Sequence, residues 1–243
     1  MTNQVINTET ADSTYQNLYI VGGVAALIAA VLILAEVIVL AIYPPPNTIS
    51  EWFMLFQRNR VIGFLDFWGL EVPMYLMFVM MFFALYIALR KTNPSLMVIA
   101  LTFALLGIGV FLATNNPASM LSLSNQYATA TTDAEKSTLL AAGQALLSNT
   151  NQRAVGGFNM GLFLVSAAGL IVSSVMLQST YFSRSTAFVG ILAHGLSLVD
   201  YLRQALTSSA IVALLVILPN ALFLVIWYVL VGRQLYRLER LER

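Results

Sequence analysis

Six residues of this chain are placed to do chemistry: Glu36, Glu71, Asn159, His194, Asp200 and Arg203. Each falls within or at the edge of a long apolar stretch. Ionisable groups in such surroundings are costly to bury and are kept where they have a task or a partner. Carboxylates beside an imidazole could act as acid and base. An excess of carboxylates would instead favour a cationic or hydrogen-bond-donating ligand. Composition removes other chemistries. The chain has no cysteine, so disulfides, thiolate nucleophiles and thiolate metal sites are excluded. It has one histidine, whereas a zinc site of the usual kind needs several N or S ligands. We expect no metal and no cofactor. The serines lack a Gly-x-Ser-x-Gly motif that would mark a nucleophile.

The elements that must position these residues are membrane helices. Apolar residues make up 59% of the 243 and charged residues 9%. Six windows each reach the roughly 20 residues that a helix needs to cross a hydrocarbon core. Within a bilayer every backbone group must be paired, which leaves helices or a closed barrel. The apolar runs are continuous and lack the alternation of barrel strands, so helices are expected. A net charge of +1 gives no basis for a nucleic-acid partner.

Residues 1–17 form a polar cytoplasmic segment, 18–231 a six-helix membrane domain, and 232–243 a basic helical extension emerging into the cytoplasm. The first span, Leu18–Tyr43, presents Gly22, Gly23, Ala26, Ala29 and Ala30 as a small-residue face and stops at Pro44-Pro45-Pro46. An amphipathic linker follows, with Trp52, Phe53 and Phe56 expected at headgroup level. The second span lies within Val61–Leu89, with Pro73 expected to kink it. Leu96–Ala113 is the third and Val155–Leu177 the fourth, where Gly157-x-x-x-Gly161 predicts a tight helix contact. Thr186–Leu206 and Ala210–Val231 complete the set.

Between the third and fourth spans lies the one long polar stretch, 115–153. Such a length is uncommon between spans unless it folds. Asn116-Pro117 reads as a helix start, and Thr132-Asp133-Ala134-Glu135 as a capping box. The spacing predicts helices over Pro117–Ala128 and Asp133–Ser148. They would form an extracytoplasmic cap, with Leu139, Leu140, Leu146 and Leu147 buried.

The Lys and Arg counts set the orientation. With both termini cytoplasmic, the inner side holds Arg90, Lys91, Arg184, Arg233, Arg237, Arg240 and Arg243. The outer side holds Arg58, Arg60, Lys136, Arg153 and Arg203, a bias of seven to five. On this trace Glu36, Asp66, Glu71, Asn159, Asp200 and Arg203 fall in the outer half and His194 near the midplane. Convergence on a hydrated pocket beneath the cap, with Arg153 or Arg203 pairing some carboxylates, is the cheaper arrangement.

Plainer roles compete at each position. Glu36 could snorkel to the surface. Asp66 is expected at the interface and Glu71 buried with a partner. Asp200 and Arg203, three apart, predict a local ion pair. A lone His194 is more simply a hydrogen-bonded core residue than a general base or ligand. Asn159 and Asn220 would link helices. Met77, Met80 and Met81 would face lipid or core.

Several stretches carry a resemblance: Met120-Leu-Ser-Leu-Ser-Asn-Gln-Tyr127, Leu139-Leu-Ala-Ala-Gly-Gln-Ala145, Ser174-Val-Met-Leu177, Phe182-Ser-Arg184, Ala187-Phe-Val-Gly-Ile191 and Ile226-Trp-Tyr228. Here the chain resembles a family of small prokaryotic membrane proteins catalogued as a domain of unknown function. The resemblance implies a six-helix protein of the plasma membrane and assigns no reaction and no site residue. Three functional readings stand. One is a protein that binds or transports a small cationic or amphipathic ligand in an outward-facing pocket. The second is a metal-independent membrane-embedded enzyme, and the third a structural or regulatory membrane subunit. The lipid bilayer is the one partner the residues require; the oligomeric state is open.

Overall fold

The computed structural model describes residues 15–150, 159–206 and 210–240. Among them the chain is helical and contains no strand. The helices are α1 (Gln16–Ile42), α2 (Ile49–Arg58), α3 (Arg60–Phe64), α4 (Glu71–Leu89), α5 (Pro94–Thr114), α6 (Pro117–Thr129), α7 (Asp133–Thr150), α8 (Met160–Met176), α9 (Arg184–Leu206) and α10 (Ala210–Arg240). A π-helical turn, Leu65–Gly69, lies between α3 and α4.

Five stretches are long and apolar enough to cross a membrane: Gln16–Ile42, Arg60–Leu89, Pro94–Thr129, Arg184–Arg203 and Leu215–Arg240. Met160–Met176 is apolar but shorter, at 17 residues. Long aliphatic side chains on these helices point outward, among them Val31, Leu106 and Leu215, 63%, 56% and 71% exposed. That is the surface a bilayer would solvate.

Six of the helices close a ring in chain order. α1 packs on α4, α4 on α5, α5 on α8, α8 on α9, α9 on α10, and α10 returns to α1. Small residues permit the closest approaches, since helix association in lipid depends on backbone proximity and van der Waals contact. A Cβ on Gly23 would lie 3.1 Å from the Gly232 carbonyl oxygen, and one on Gly232 would lie 2.9 Å from that of Gly23. Gly161 makes the tight contact expected of it, against Gly107 of α5; Gly157 lies outside the described residues. The last turns of α10 keep their arginines exposed, as expected, while their leucines pack inward. Leu235 and Leu238 are fully buried in the main core, so the apolar stripe of the tail belongs to the bundle.

The second span is not one continuous helix. Phe67 and Trp68 leave helical geometry, with Trp68 at φ 61°. That left-handed conformation is a genuine outlier for a bulky residue. Gly69 completes the turn because a Cβ there would collide with the Phe64 carbonyl. Pro73 does not make the break, since it sits in the first turn of α4, where its missing N–H costs nothing.

The broken segment joins two hydrophobic cores. One fills the ring; the other is built from Ile49, Trp52, Phe53, Phe56, Phe67, Met120 and Leu147. Trp52, Phe53 and Phe56 therefore have no wet side: each is at most 1% exposed. They are covered by α6 and α7, which lie 60 or more residues further along the chain. Ser124 Oγ, also buried, donates to the Phe53 carbonyl at 2.8 Å, and Gln57 Nε2 donates to the Ser124 carbonyl at 3.2 Å. Gly143 lets α7 lie on α2, since a Cβ there would stand 2.9 Å from Phe53 Cζ. Leu147 is buried, while Leu139, Leu140 and Leu146 pack around it half-exposed. Both cap helices start where the spacing indicated. Asn116 Oδ1 accepts from the N–H of Ala118 at 3.0 Å, and Thr132 and Glu135 form the reciprocal box. Thr48 and Glu51 form a second such box at the start of α2.

Candidate functional site

The break before α4 places two carboxylates inside the protein. Asp66 and Glu71 are each 5% exposed. Asp66 is thus not the interfacial residue expected: the π turn folds its stretch inward between the cores. One turn beyond Glu71, Tyr75 lies with its ring stacked on Phe111 of α5, centroids 3.7 Å apart. Phe111 in turn meets Trp68 edge-on at 5.7 Å.

Tyr75 is the point on which several helices converge. Within its electrostatic reach are Tyr201 of α9, Tyr228 of α10, Glu71 of its own helix and Glu36 of α1. Tyr201 lies beside Ser166 of α8 and within electrostatic reach of Asp200 and Glu36. Of the residues expected to line a site, Glu36 and Glu71 lie within electrostatic reach of Tyr75, and Glu36 and Asp200 within that of Tyr201; Glu36 is half-buried. Arg203 Nε donates to Asp200 Oδ1 at 2.7 Å, the local pair that their spacing indicated. That ion pair partly neutralises the acidic group at the α9 side. Arg153 lies outside the described residues.

His194 and Asn159 do other things. His194 is 2% exposed, and its ring fills the space above Gly169 of α8. It meets Trp227 of α10 edge to face, centroids 4.6 Å apart. Neither ring nitrogen has a hydrogen-bond partner among the described residues, contrary to the hydrogen-bonded core histidine expected. Ser173 Oγ and Trp227 Nε1 are likewise buried, both pressed over Gly190, and likewise without such a partner there. Asn159 does not link helices. It caps α8, its Oδ1 accepting from the N–H of Gly161 at 2.9 Å and of Leu162 at 3.2 Å. Asn220 does link helices: its Nδ2 donates to the Ala193 carbonyl at 2.6 Å and to Ser197 Oγ at 2.9 Å. Met81 is in the core and Met80 faces outward.

Sequence reasoning missed Tyr75, Tyr201, Tyr228 and Ser166. Their signal was present: a tyrosine well inside an apolar run carries a hydroxyl that needs a polar neighbour. Two cavities lie elsewhere. A groove of about 450 Å³ between α6 and α7 is lined by Ser119, Ser122, Leu123, Ala142, Ala145 and Leu146. Another of about 270 Å³ runs along α1 beside Val24, Leu27, Ile28, Val31 and Leu32. Neither is lined by the six residues singled out from the sequence. Among the described residues no group of three or more His, Asp or Glu could hold a metal ion.

The arrangement can hold a positive charge or a hydrogen-bond donor among carboxylates and tyrosines. No curated protein and no solved structure matches the chain. A family model does, over residues 17–232, and so the chain belongs to the family described as Domain of unknown function (DUF4386).

Proposed function

We propose that this is a six-span plasma-membrane protein with both termini cytoplasmic, α8 being the sixth span. In this reading α6 and α7 form an extracytoplasmic cap. Beneath them Glu36, Glu71, Asp200 and Arg203, with Tyr75 and Tyr201, bind a small cationic or amphipathic ligand. One observation carries the reading: acidic and phenolic groups from α1, α4, α9 and α10 meet around Tyr75. Glu36 and Glu71 both lie within electrostatic reach of Tyr75, and a bound cation there would offset their negative charge. His194 and Asn159 then act in support, one in helix packing and the other as a cap.

Thermal unfolding of the full chain in a neutral detergent, with tetramethylammonium, choline and uncharged isosteres as probes, tests the site. The cations are expected to raise the midpoint in the native chain and to lose that effect in Glu71→Gln and Glu36→Gln. Equal shifts by the uncharged isosteres, or shifts that survive both substitutions, would overturn it. The topology is tested separately. Cysteines placed at Asp12 and at Lys136 are expected to label from opposite sides of intact cells, and labelling from one side sinks the assignment.

A further inference from the structure

The end of the ring farthest from the cap carries a charge pattern that the proposed site does not use. Helix contacts set its geometry. Gly22 of α1 lies against Ala84 of α4 and Leu235 of α10, while Gly190 of α9 lies against Trp227 of α10. Six residues, about 9 Å along the axis, separate Ala84 from Arg90 on α4, Trp227 from Arg233 on α10 and, running backward, Gly190 from Arg184 on α9, while Leu235 lies between Arg233 and Arg237. Arg90 sits over the Tyr15 ring at 5.2 Å, which fixes the start of α1 at the same end.

On α10 the arrangement is specific. Arg233, Arg237 and Arg240 follow one another at four and three residues, so they share one helix face. All three are exposed, whereas Leu235, Leu238 and Glu239 between them are buried. Arg184 is exposed as well. None of these four arginines forms an ion pair or side-chain hydrogen bond among the described residues. Three guanidinium groups are thus held on one face of a helix that is packed into the bundle on its other face, and Arg184 of α9 stands at the level of Arg233. Because the apolar run of α10 ends at Val231, the rim falls where a lipid phosphate would lie. The chemistry that matches is an anion with two neighbouring oxygens, such as a phosphodiester, which the planar guanidinium fork grips in pairs.

We infer that Arg184, Arg233, Arg237 and Arg240 form a docking rim for the headgroups of anionic phospholipids. The inference rests on the membrane-spanning reading and is independent of the ligand site near Tyr75. The rim's long side chains reach the phosphates while their stems lie along the apolar helix surface. Anionic lipid then ties α9 and α10 together at this end.

The test uses the full chain purified in neutral detergent, with phosphatidylglycerol or phosphatidylcholine of the same acyl chains added. Phosphatidylglycerol is expected to raise the unfolding midpoint by several degrees, and phosphatidylcholine is not. The rise should shrink in 0.5 M salt, because exposed charges are screened over about 3 Å at 1 M and 10 Å at 0.1 M. The triple variant Arg233→Gln, Arg237→Gln, Arg240→Gln should lose the rise, and Arg58→Gln with Lys136→Gln should keep it. Glycerol 3-phosphate separates a lipid headgroup from a soluble phosphate: an equal rise with it overturns the inference. Should the triple variant fail to fold, native mass spectrometry of the unaltered chain decides. Equal retention of the two lipids, or a triple variant that keeps the full rise, also overturns it.

Discussion

Gly107 and Gly161 face each other backbone to backbone: a Cβ on either would stand 2.7 Å from the carbonyl oxygen of the other. The α5–α8 contact is therefore fixed at its closest point by two absent side chains. Gly161→Leu or Gly107→Leu should force the helices apart and cost about 1–3 kcal/mol, the usual penalty for overpacking. Gly109→Ala, on the same helix with nothing within 4 Å of the added carbon, should leave the unfolding midpoint unchanged or slightly raised. Equal losses at all three positions would show that this contact does not set the result.

In the cap, one position separates a buried leucine from its half-exposed neighbour. Leu147→Asp should lower stability by about 3–5 kcal/mol, because it buries an unpaired charge in the second core. Leu146→Asp should cost clearly less, since that side chain is half-exposed. Ser124→Ala should cost about 1–3 kcal/mol by leaving the Phe53 carbonyl buried without its donor. Thermal unfolding of the three variants side by side checks the ranking.

At Trp68 the ordinary order of helix formers should invert. Within a regular helix glycine is about 1 kcal/mol worse than alanine. At φ 61° only glycine escapes the steric cost of the left-handed region. Both Trp68→Ala and Trp68→Gly lose the ring, so their difference isolates the backbone. Trp68→Gly should be the more stable by about 1 kcal/mol. If alanine is better tolerated, the turn is not held as described.

The start of α7 should weaken in acid. Hydrogen bonds from the Thr132 and then the Thr131 backbone N–H groups hold the Glu135 carboxyl below its ordinary value of 4.5. A depressed carboxyl contributes stability that is complete above its ordinary value and is lost as pH falls through the lowered one. Amide exchange at residues 131–136 should accelerate below about pH 4.5 relative to the same residues of Glu135→Gln. No difference between the two chains in that range would refute the cap's part.

His194→Leu should be close to neutral or mildly stabilising, because it removes two buried nitrogens that have no hydrogen-bond partner among the described residues. Gly169→Ala should destabilise, since the new methyl occupies the place of the His194 ring. A large loss in His194→Leu would point to a partner or task for the imidazole.

What could be read from the sequence follows from how local each cause is. The Thr132–Glu135 box, the Asn116-Pro117 start and the Asp200–Arg203 pair depend on residues a turn apart, and each stands as its spacing indicated. The break at Phe67 and Trp68 does not. Leu65-Asp-Phe-Trp-Gly69 looks like more of an apolar helix, and what unwinds it is the demand of two separate cores. Trp52, Phe53 and Phe56 carry the marks of interfacial aromatics, but their surroundings are set by helices far along the chain. Likewise Glu36 and Glu71 could be picked out as costly, while the tyrosines that meet them became visible only once the ring closed.

Trp68 touches both hydrophobic cores, resting on Phe111 within the ring and on the aromatic cluster under the cap. A residue counted in two cores makes their melting one event. Damage to either cluster removes a wall from the other, so lesions far apart in the chain should report as a shared loss of cooperativity. The α2–α6–α7 cluster is in this sense neither an appendage nor a separate module, but a part of the same folding unit.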